Sequence, residues 1–303
     1  MTTFQWFASL VLAATIVPPL AAEAHCPGNV ASVPFRFVDR HRIVVAVSIN
    51  HTGPYNFLLD SGAQITMIDP SLATALHLDT QGAVVVSGVG SGRSASYAQL
   101  DLVEAGSHAV TNQKVLVYDL RNLHSDDQHL RGILGEDFLE QFDLLIDNAH
   151  RLLCLDDSAA MRAEVKGSHI PLVAAAEADE VGAMPGLLLV TVRLSGGLRP
   201  VRLLLDSGVN EPILFNASEY MLLRPSHDVP VRGSGVDGAQ PILSALPPQV
   251  VKIGSLELSG VSFLGTTTEK SSYAKGFDGV LTTGLFRRVF IDHADRFAVL
   301  EPR

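Results

Sequence analysis

Asp60-Ser61-Gly62 closes an apolar run, Phe57-Leu58-Leu59, and the same three residues return as Asp206-Ser207-Gly208 after Val201-Arg202-Leu203-Leu204-Leu205. Each copy puts an acid, a small hydroxyl residue and a glycine at the end of a strand-like segment. The two acids lie 146 residues apart, close to half of the chain. A repeat of that length indicates duplication of a whole folding unit. Two carboxyl groups brought together by equivalent halves share one proton, and their ionisations split apart. Such a pair can activate water without a metal. The ionised member takes a proton from the water, and the protonated member donates to the carbonyl under attack. Asp60 and Asp206 are therefore the candidate catalytic residues. Ser61 and Ser207 can bond across to the opposite half and lock the pair, while Gly62 and Gly208 let the backbone turn tightly beside each acid.

The elements that must hold these residues read as strands. In the first half, Phe35–Phe37, Ile43–Ile49, Phe57–Leu59 and Ile65–Ile68 alternate or run apolar. His51–Pro54 reads as a turn. Asp69-Pro70 opens a short helix to about Leu76, with the acid as N-cap and proline in the first helical position. Val84–Val86 leads into the glycine-rich tip Ser87–Gly92, and strands follow near Ala98–Val103 and Lys114–Tyr118. Gly132-Ile133-Leu134-Gly135 precedes a short helix at Glu136–Gln141, and Phe142–Asp147 with Arg151–Leu155 forms a closing hairpin.

The second half repeats the order. Leu187–Leu194 and Val201–Leu205 deliver Asp206, Asn216 caps a short helix near Ser218–Leu223, and Gly233–Gly238 is a second glycine-rich tip. Gly279-Val280-Leu281 answers Gly132-Ile133-Leu134, and Val289–Asp292 with Arg296–Leu300 answers the closing hairpin. Asp147 and Asp292 read as turn residues despite their symmetry. Gly233–Gly238 spells a G-x-G-x-x-G pattern, but Gln240-Pro241 and Pro247-Pro248 follow where a dinucleotide site needs a helix.

The chain has 303 residues, room for two modest domains. It is 47% hydrophobic and 18% charged, a globular composition. A net charge of −10 without any basic run argues against nucleic acid as a partner. No His-Glu-x-x-His or Gly-x-Ser-x-Gly occurs, and His124 and His129 read as loop residues, so neither metal nor cofactor is expected. Residues 1–24 read as a signal peptide: Phe4–Leu20 is apolar, Pro18-Pro19 ends the run, and Ala22-Glu23-Ala24 fits a small-x-small cleavage site. Export to a periplasm or to the outside follows, with no stable membrane insertion after cleavage. An uncleaved N-terminal anchor is the alternative, since no Lys or Arg precedes the apolar run. Two cysteines then remain, Cys26 and Cys154. They are either a disulfide between the mature N-terminus and the last strand of the first half or two separate thiols.

On these residues the chain resembles the pepsin and retropepsin aspartic protease superfamily. The match lies in Asp60-Ser61-Gly62-Ala63, in Thr66 and Ile68 downstream, and in Ile133-Leu134-Gly135. Gly132–Leu155 is similar to the closing region of bacterial retropepsin-like proteases, and the simple lobe plan looks closer to two fused retropepsin units than to pepsin. The resemblance implies an all-β fold of two pseudo-twofold-related acid-protease-like β-barrel lobes with short helices and a central cleft. The first lobe would span residues 25–156, an interlobe connection 157–180 and the second lobe 181–303. It further implies an aspartic endopeptidase acting on a peptide or protein substrate, with one chain sufficient for catalysis. The flap tips facing the substrate would carry Gly88, Gly90 and Gly92 in the first lobe and Gly233, Gly235 and Gly238 in the second. The second lobe departs from the pattern. Asn210-Glu211-Pro212 stands where the first lobe has Gln64-Ile65-Thr66, and Thr282-Thr283 follows Gly279-Val280-Leu281 where glycine is expected. A catalytically inactive protein that binds peptides or another ligand in the same cleft is the alternative reading.

Overall fold

The computed structural model describes residues 25–86, 92–123, 129–174, 186–217, 231–232, 242–266 and 276–303. In the first half, β1 (Ser32–Val38), β2 (Arg42–Ile49) and β3 (Thr52–Leu59) pair as an antiparallel meander. The turn before β3 is tighter than the sequence suggests. Asn50 and His51 take positive φ of 47° and 62°, so the strand already starts at Thr52. β4 (Met67–Ile68) follows the Asp60 loop and leads into α1 (Pro70–Ala75). The Asp69 side chain accepts from the N–H groups of Ser71 and Leu72, the N-cap that the Asp-Pro pair predicts. Next come β5 (Gln81–Val86), β6 (Arg93–Ala105), β7 (His108–Val117), β8 (Gly132–Leu134) and α2 (Glu136–Leu139). β9 (Asp143–Asp147), β10 (Leu152–Asp156) and α3 (Ala160–Glu164) complete the half.

The second half contains β11 (Ile170–Pro171), β12 (Val173–Ala174), β13 (Leu188–Leu194), β14 (Val201–Asp206) and β15 (Ile213–Leu214). It continues through β16 (Val231–Arg232), β17 (Ile242–Ala245), β18 (Gln249–Ile253), β19 (Leu256–Val261) and β20 (Leu264–Thr266). It ends with β21 (Gly279–Thr282), β22 (Phe286–Asp292) and β23 (Phe297–Pro302). The helix expected near Ser218–Leu223 lies outside the described residues.

Both halves make the same crossing at the acid. β8 runs parallel to β3 and antiparallel to β4, and β4 runs parallel to β7. β21 likewise runs parallel to β14 and antiparallel to β15, and β15 runs parallel to β20. One job is divided differently. β1 pairs with β10 through Ser32–Pro34 and with β2 from Phe35 onward. In the second half β11 pairs with β23 and β12 with β13, on either side of Leu172. Residues 170–174, inside the stretch read from sequence as the connection, thus pair with second-half strands.

A six-stranded layer, ordered β11-β23-β22-β9-β10-β1, joins the two lobes. At its centre β9 pairs antiparallel with β22, and Leu145 faces Phe290, its own counterpart in the repeat. The pseudo-twofold axis passes through that pair. Every residue of β9 is buried, because this strand is covered on both faces, which favours a continuous apolar run over alternation. Asp147 and Asp292 end the two central strands in matching turns, accepting from the N–H of His150 and of Asp295 respectively. Leu144, Ile146, Val289 and Ile291 join the main core, which also takes in residues from the strands that deliver both acids. Each such side chain contributes about 1.5–3 kcal/mol on burial. Cys26 and Cys154 are disulfide-bonded, with Cα atoms 5.8 Å apart. The bond sits among Leu145, Met161, Phe290 and Phe297, and it ties the start of the described chain to the interlobe layer.

Candidate active site

Each acid stands where a buried strand runs out. Leu58 and Leu59 precede Asp60, and Leu204 and Leu205 precede Asp206, all with essentially no exposure. The parallel neighbours hold the loops in place: the Asp60 N–H donates to Leu134 O at 3.0 Å, and Asp206 is in register with Thr282. The chain then turns back on its own acid. Gly62 N–H donates to Asp60 Oδ1 at 2.9 Å, and Gly208 N–H donates to Asp206 Oδ1 at 2.7 Å.

Four reciprocal bonds clamp the loops together. The Ser61 hydroxyl donates to Leu205 O at 2.9 Å, and the Ser207 hydroxyl donates to Leu59 O at 2.9 Å. Each hydroxyl oxygen also accepts the other serine's N–H, both at 3.1 Å. Ser61 and Ser207 are wholly buried. Every donor and acceptor in this clamp is satisfied within it, so the network is stiff. The glycines are required by crowding. A Cβ on Gly62 would lie 2.6 Å from Asp206 Oδ2, and one on Gly208 would lie 2.5 Å from Asp60 Cγ. Each acid therefore projects over the other loop's glycine.

The two carboxyl groups stand close enough to act on each other's ionisation. Burial raises the Asp60 carboxyl above the ordinary carboxylate range, opposed by the N–H groups of Gly62 and Ala63 and by the Arg42 charge. Asp206 is 4% exposed and is pushed well above that range, first by burial and then by the charge of Asp60. The pair thus retains one proton at a pH where an isolated carboxyl has lost it, and it titrates as a unit. Chemically it presents one acceptor and one donor side by side.

The surroundings differ between the halves. In the first, Thr66 is wholly buried. Its hydroxyl donates to Asp137 Oδ1 at 2.6 Å and accepts from Gly135 N–H and from Gln113 Nε2, both at 3.1 Å. Gly135 has no room for a side chain, since a Cβ would stand 2.8 Å from Ala63 O. In the second half, Thr282 occupies the position equivalent to Gly135. Its hydroxyl donates to Val209 O at 2.8 Å and accepts from Gly284 N–H at 3.1 Å. The missing glycine is thus a substituted hydrogen bond, not a broken element. Asn210 has a structural task as well: its Oδ1 accepts from His41 N–H at 2.9 Å and from Arg40 N–H at 3.3 Å, and Glu211 pairs with Arg40 at 2.5 Å. The departure at residues 210–211 is an interlobe contact with the turn between β1 and β2.

Of the residues expected from sequence, Asp60, Ser61, Gly62, Asp206, Ser207 and Gly208 come together. Gly92 is exposed just ahead of β6. Gly88, Gly90, Gly233, Gly235 and Gly238 lie outside the described residues. The strands that flank them pair antiparallel, β5 with β6 and β16 with β17. Sequence reasoning missed the Asp137–Thr66 bond, the Asn210 contact and Glu136. Glu136 is 1% exposed and bonded to His293 of the other half at 3.2 Å. The one local signal was Glu136-Asp137 inside an apolar segment, which reads equally well as ordinary acids at a helix start. Among the described residues no group of three or more His, Cys, Asp or Glu is placed to hold a metal ion.

Residues 45–138 match a family model described as aspartyl protease. No curated protein matches the chain. Among solved structures, the aspartic proteinase from Irpex lacteus superposes with a TM-score of 0.54, over 90% of this chain and 97% of that one, at 13% identity. At that identity the likeness is one of fold.

Proposed function

We propose that this chain, a member of the aspartic protease superfamily, is an endopeptidase that hydrolyses peptide bonds with water activated between Asp60 and Asp206. The observation that supports this most directly is the reciprocal serine clamp, which holds two buried carboxyl groups each over the opposite loop's glycine. In the reaction the ionised carboxylate takes a proton from water, and the oxygen adds to the peptide carbonyl carbon. The protonated carboxyl donates to the carbonyl oxygen, giving a neutral tetrahedral diol. The proton taken from water then passes to the nitrogen, the carboxylate that donated to the carbonyl takes a proton back from a diol hydroxyl, and the C–N bond breaks, so a carboxylic acid and an amine leave and the pair again holds one proton. The clamp and the two glycine N–H bonds keep the acids aligned, so little reorganisation accompanies the step. Both acids come from one chain, so a second copy is not needed for this chemistry.

The test is cleavage of a mixed peptide pool by the protein and by Asp60→Asn and Asp206→Asn. Either substitution removes the shared-proton pair and should lower kcat/KM by about 10³-fold or more. Undiminished cleavage by both variants overturns the reading. Peptide binding without cleavage by the unaltered protein at any pH from acid to neutral favours the inactive binding protein instead. We also infer export to an oxidising compartment, supported by the Cys26–Cys154 bond. Recovery of the reduced, unprocessed chain from the cytoplasm of its host would overturn that.

A further inference from the structure

Against the Asp60 loop lies a second pair of titratable groups that the reaction above does not use. Glu136 opens α2 directly after Gly135, and its N–H donates to Ala63 O at 2.8 Å. Its Oε2 stands 3.2 Å from Nε2 of His293, which follows β22 in the other half. The second ring nitrogen, Nδ1, is 2.7 Å from Phe142 O. A carbonyl oxygen only accepts, so Nδ1 carries a hydrogen. The Nε2–Oε2 contact then needs one more proton, either as imidazolium to carboxylate or as carboxylic acid to neutral imidazole. In both forms one mobile proton is held between the halves. Glu136 Oε1 is buried and has no hydrogen-bond partner, so a carboxylate there is stabilised from one side only.

The charge of Glu136 acts on Asp206 and raises it. Burial raises Glu136 itself, with the charges of Glu140 and Asp60 adding to the effect and His293 opposing it. Burial works against protonation of His293, but the bond to Glu136 and its charge hold the imidazole above its ordinary value, and Asp143 adds to them. The groups facing the pair are thus Glu140 just after α2, Asp60 after β3, Asp206 at the end of β14, and Asp143 on β9 with Arg162 of α3 beside it. Arg42 of β2 acts on Asp60 from the other direction.

We propose that Glu136 and His293 are positioning residues whose shared proton sets how tightly the Asp60–Asp206 pair holds its own. When the imidazole keeps that proton, the Glu136 side chain beside the Asp60 loop is a carboxylate, and the reacting pair retains its proton to higher pH. This rests on the reading of Asp60 and Asp206 as the reacting pair. The experiment compares the unaltered protein with Glu136→Gln and His293→Gln in two ways. One is the pH dependence of kcat/KM. The other is NMR titration of Asp side-chain carboxyl carbons and of the His293 ring, which needs no turnover. Glu136→Gln removes the negative charge, and His293→Gln leaves a buried, neutral carboxyl. Both should move the basic limb of the profile, and the carboxyl titration with it, to lower pH by about half a unit or more. Glu136→Gln should also return the His293 ring to a lower titration point. Either variant alone carries the test if the other fails to fold. An unmoved limb and an unmoved carboxyl titration in a folded variant overturn the inference. If the unaltered protein cleaves nothing, the peptidase reading fails, and the carboxyl titration alone then upholds or overturns the coupling.

Discussion

Gly62 and Gly208 do their work by what they lack. Neither needs a left-handed backbone; each simply leaves the space into which the opposite acid projects, within 2.6 Å of a Cβ that is not there. A methyl group at either site must push the facing carboxyl aside, and a displacement of about 1 Å costs on the order of 10²-fold in rate. Gly62→Ala and Gly208→Ala should therefore lower kcat/KM by about 100-fold while circular dichroism stays native. The acids themselves weigh on stability. Burial raises both carboxyl groups on folding, and the charge of Asp60 raises Asp206 further. Their contribution is thus fully present below the unfolded carboxyl range and is lost as pH rises through the higher folded values. Asp206→Asn removes that penalty and keeps an oxygen for the Gly208 N–H. The variant should melt roughly 2–4 °C above the unaltered protein at pH 7, the shift expected for about 1 kcal/mol. The gap should close below about pH 4, where an unfolded carboxyl is protonated too. A constant gap across pH would contradict the charge argument.

Around the acid loops, the two strand crossings reach the same end by different chemistry. In the first half Gly135 lets α2 start against the loop, and Glu136 N–H satisfies Ala63 O. In the second half the Thr282 hydroxyl satisfies Val209 O, the equivalent carbonyl. Gly135→Ala drives a Cβ into the backbone of Ala63, Ile65 and Thr66 and should cost about 1–3 kcal/mol by overpacking. Thr282→Val keeps the shape but leaves Val209 O and Gly284 N–H without that partner, for a similar loss of about 1–3 kcal/mol. Urea unfolding of both variants measures each. A neutral Thr282→Val would show that the hydroxyl is not needed.

The whole molecule is held by the interlobe layer and its one covalent tie. Cys26–Cys154 spans 128 residues and anchors the first described segment and α3 beneath β9 and β22. Opening so long a loop typically costs about 2–5 kcal/mol. A Cys26→Ala/Cys154→Ala variant should unfold at correspondingly lower urea. Its kcat/KM, measured on folded protein, should be unchanged, because the serine clamp rather than the disulfide aligns the acids. A fall in kcat/KM without a fall in stability would contradict that division of labour.

Much of this is written locally. Leu58-Leu59-Asp60 and Leu204-Leu205-Asp206 announce buried strands ending in acids, and Asp69-Pro70 announces a helix start, because strand alternation and end-capping act over two to four residues. The recurrence of such segments in the same order carries the two-lobed plan. The sequence also left Cys26 and Cys154 open, since it contains no distances. What it could not show are contacts whose partners lie far along the chain: Asn210 with the turn 170 residues earlier, Glu136 with His293 at 157 residues, and Thr282 with Val209 at 73. Each depends on how two crossings and one axis place residues that share no local pattern. A hydrogen bond is decided by a few tenths of an ångström, and such positions exist only once the sheets have packed.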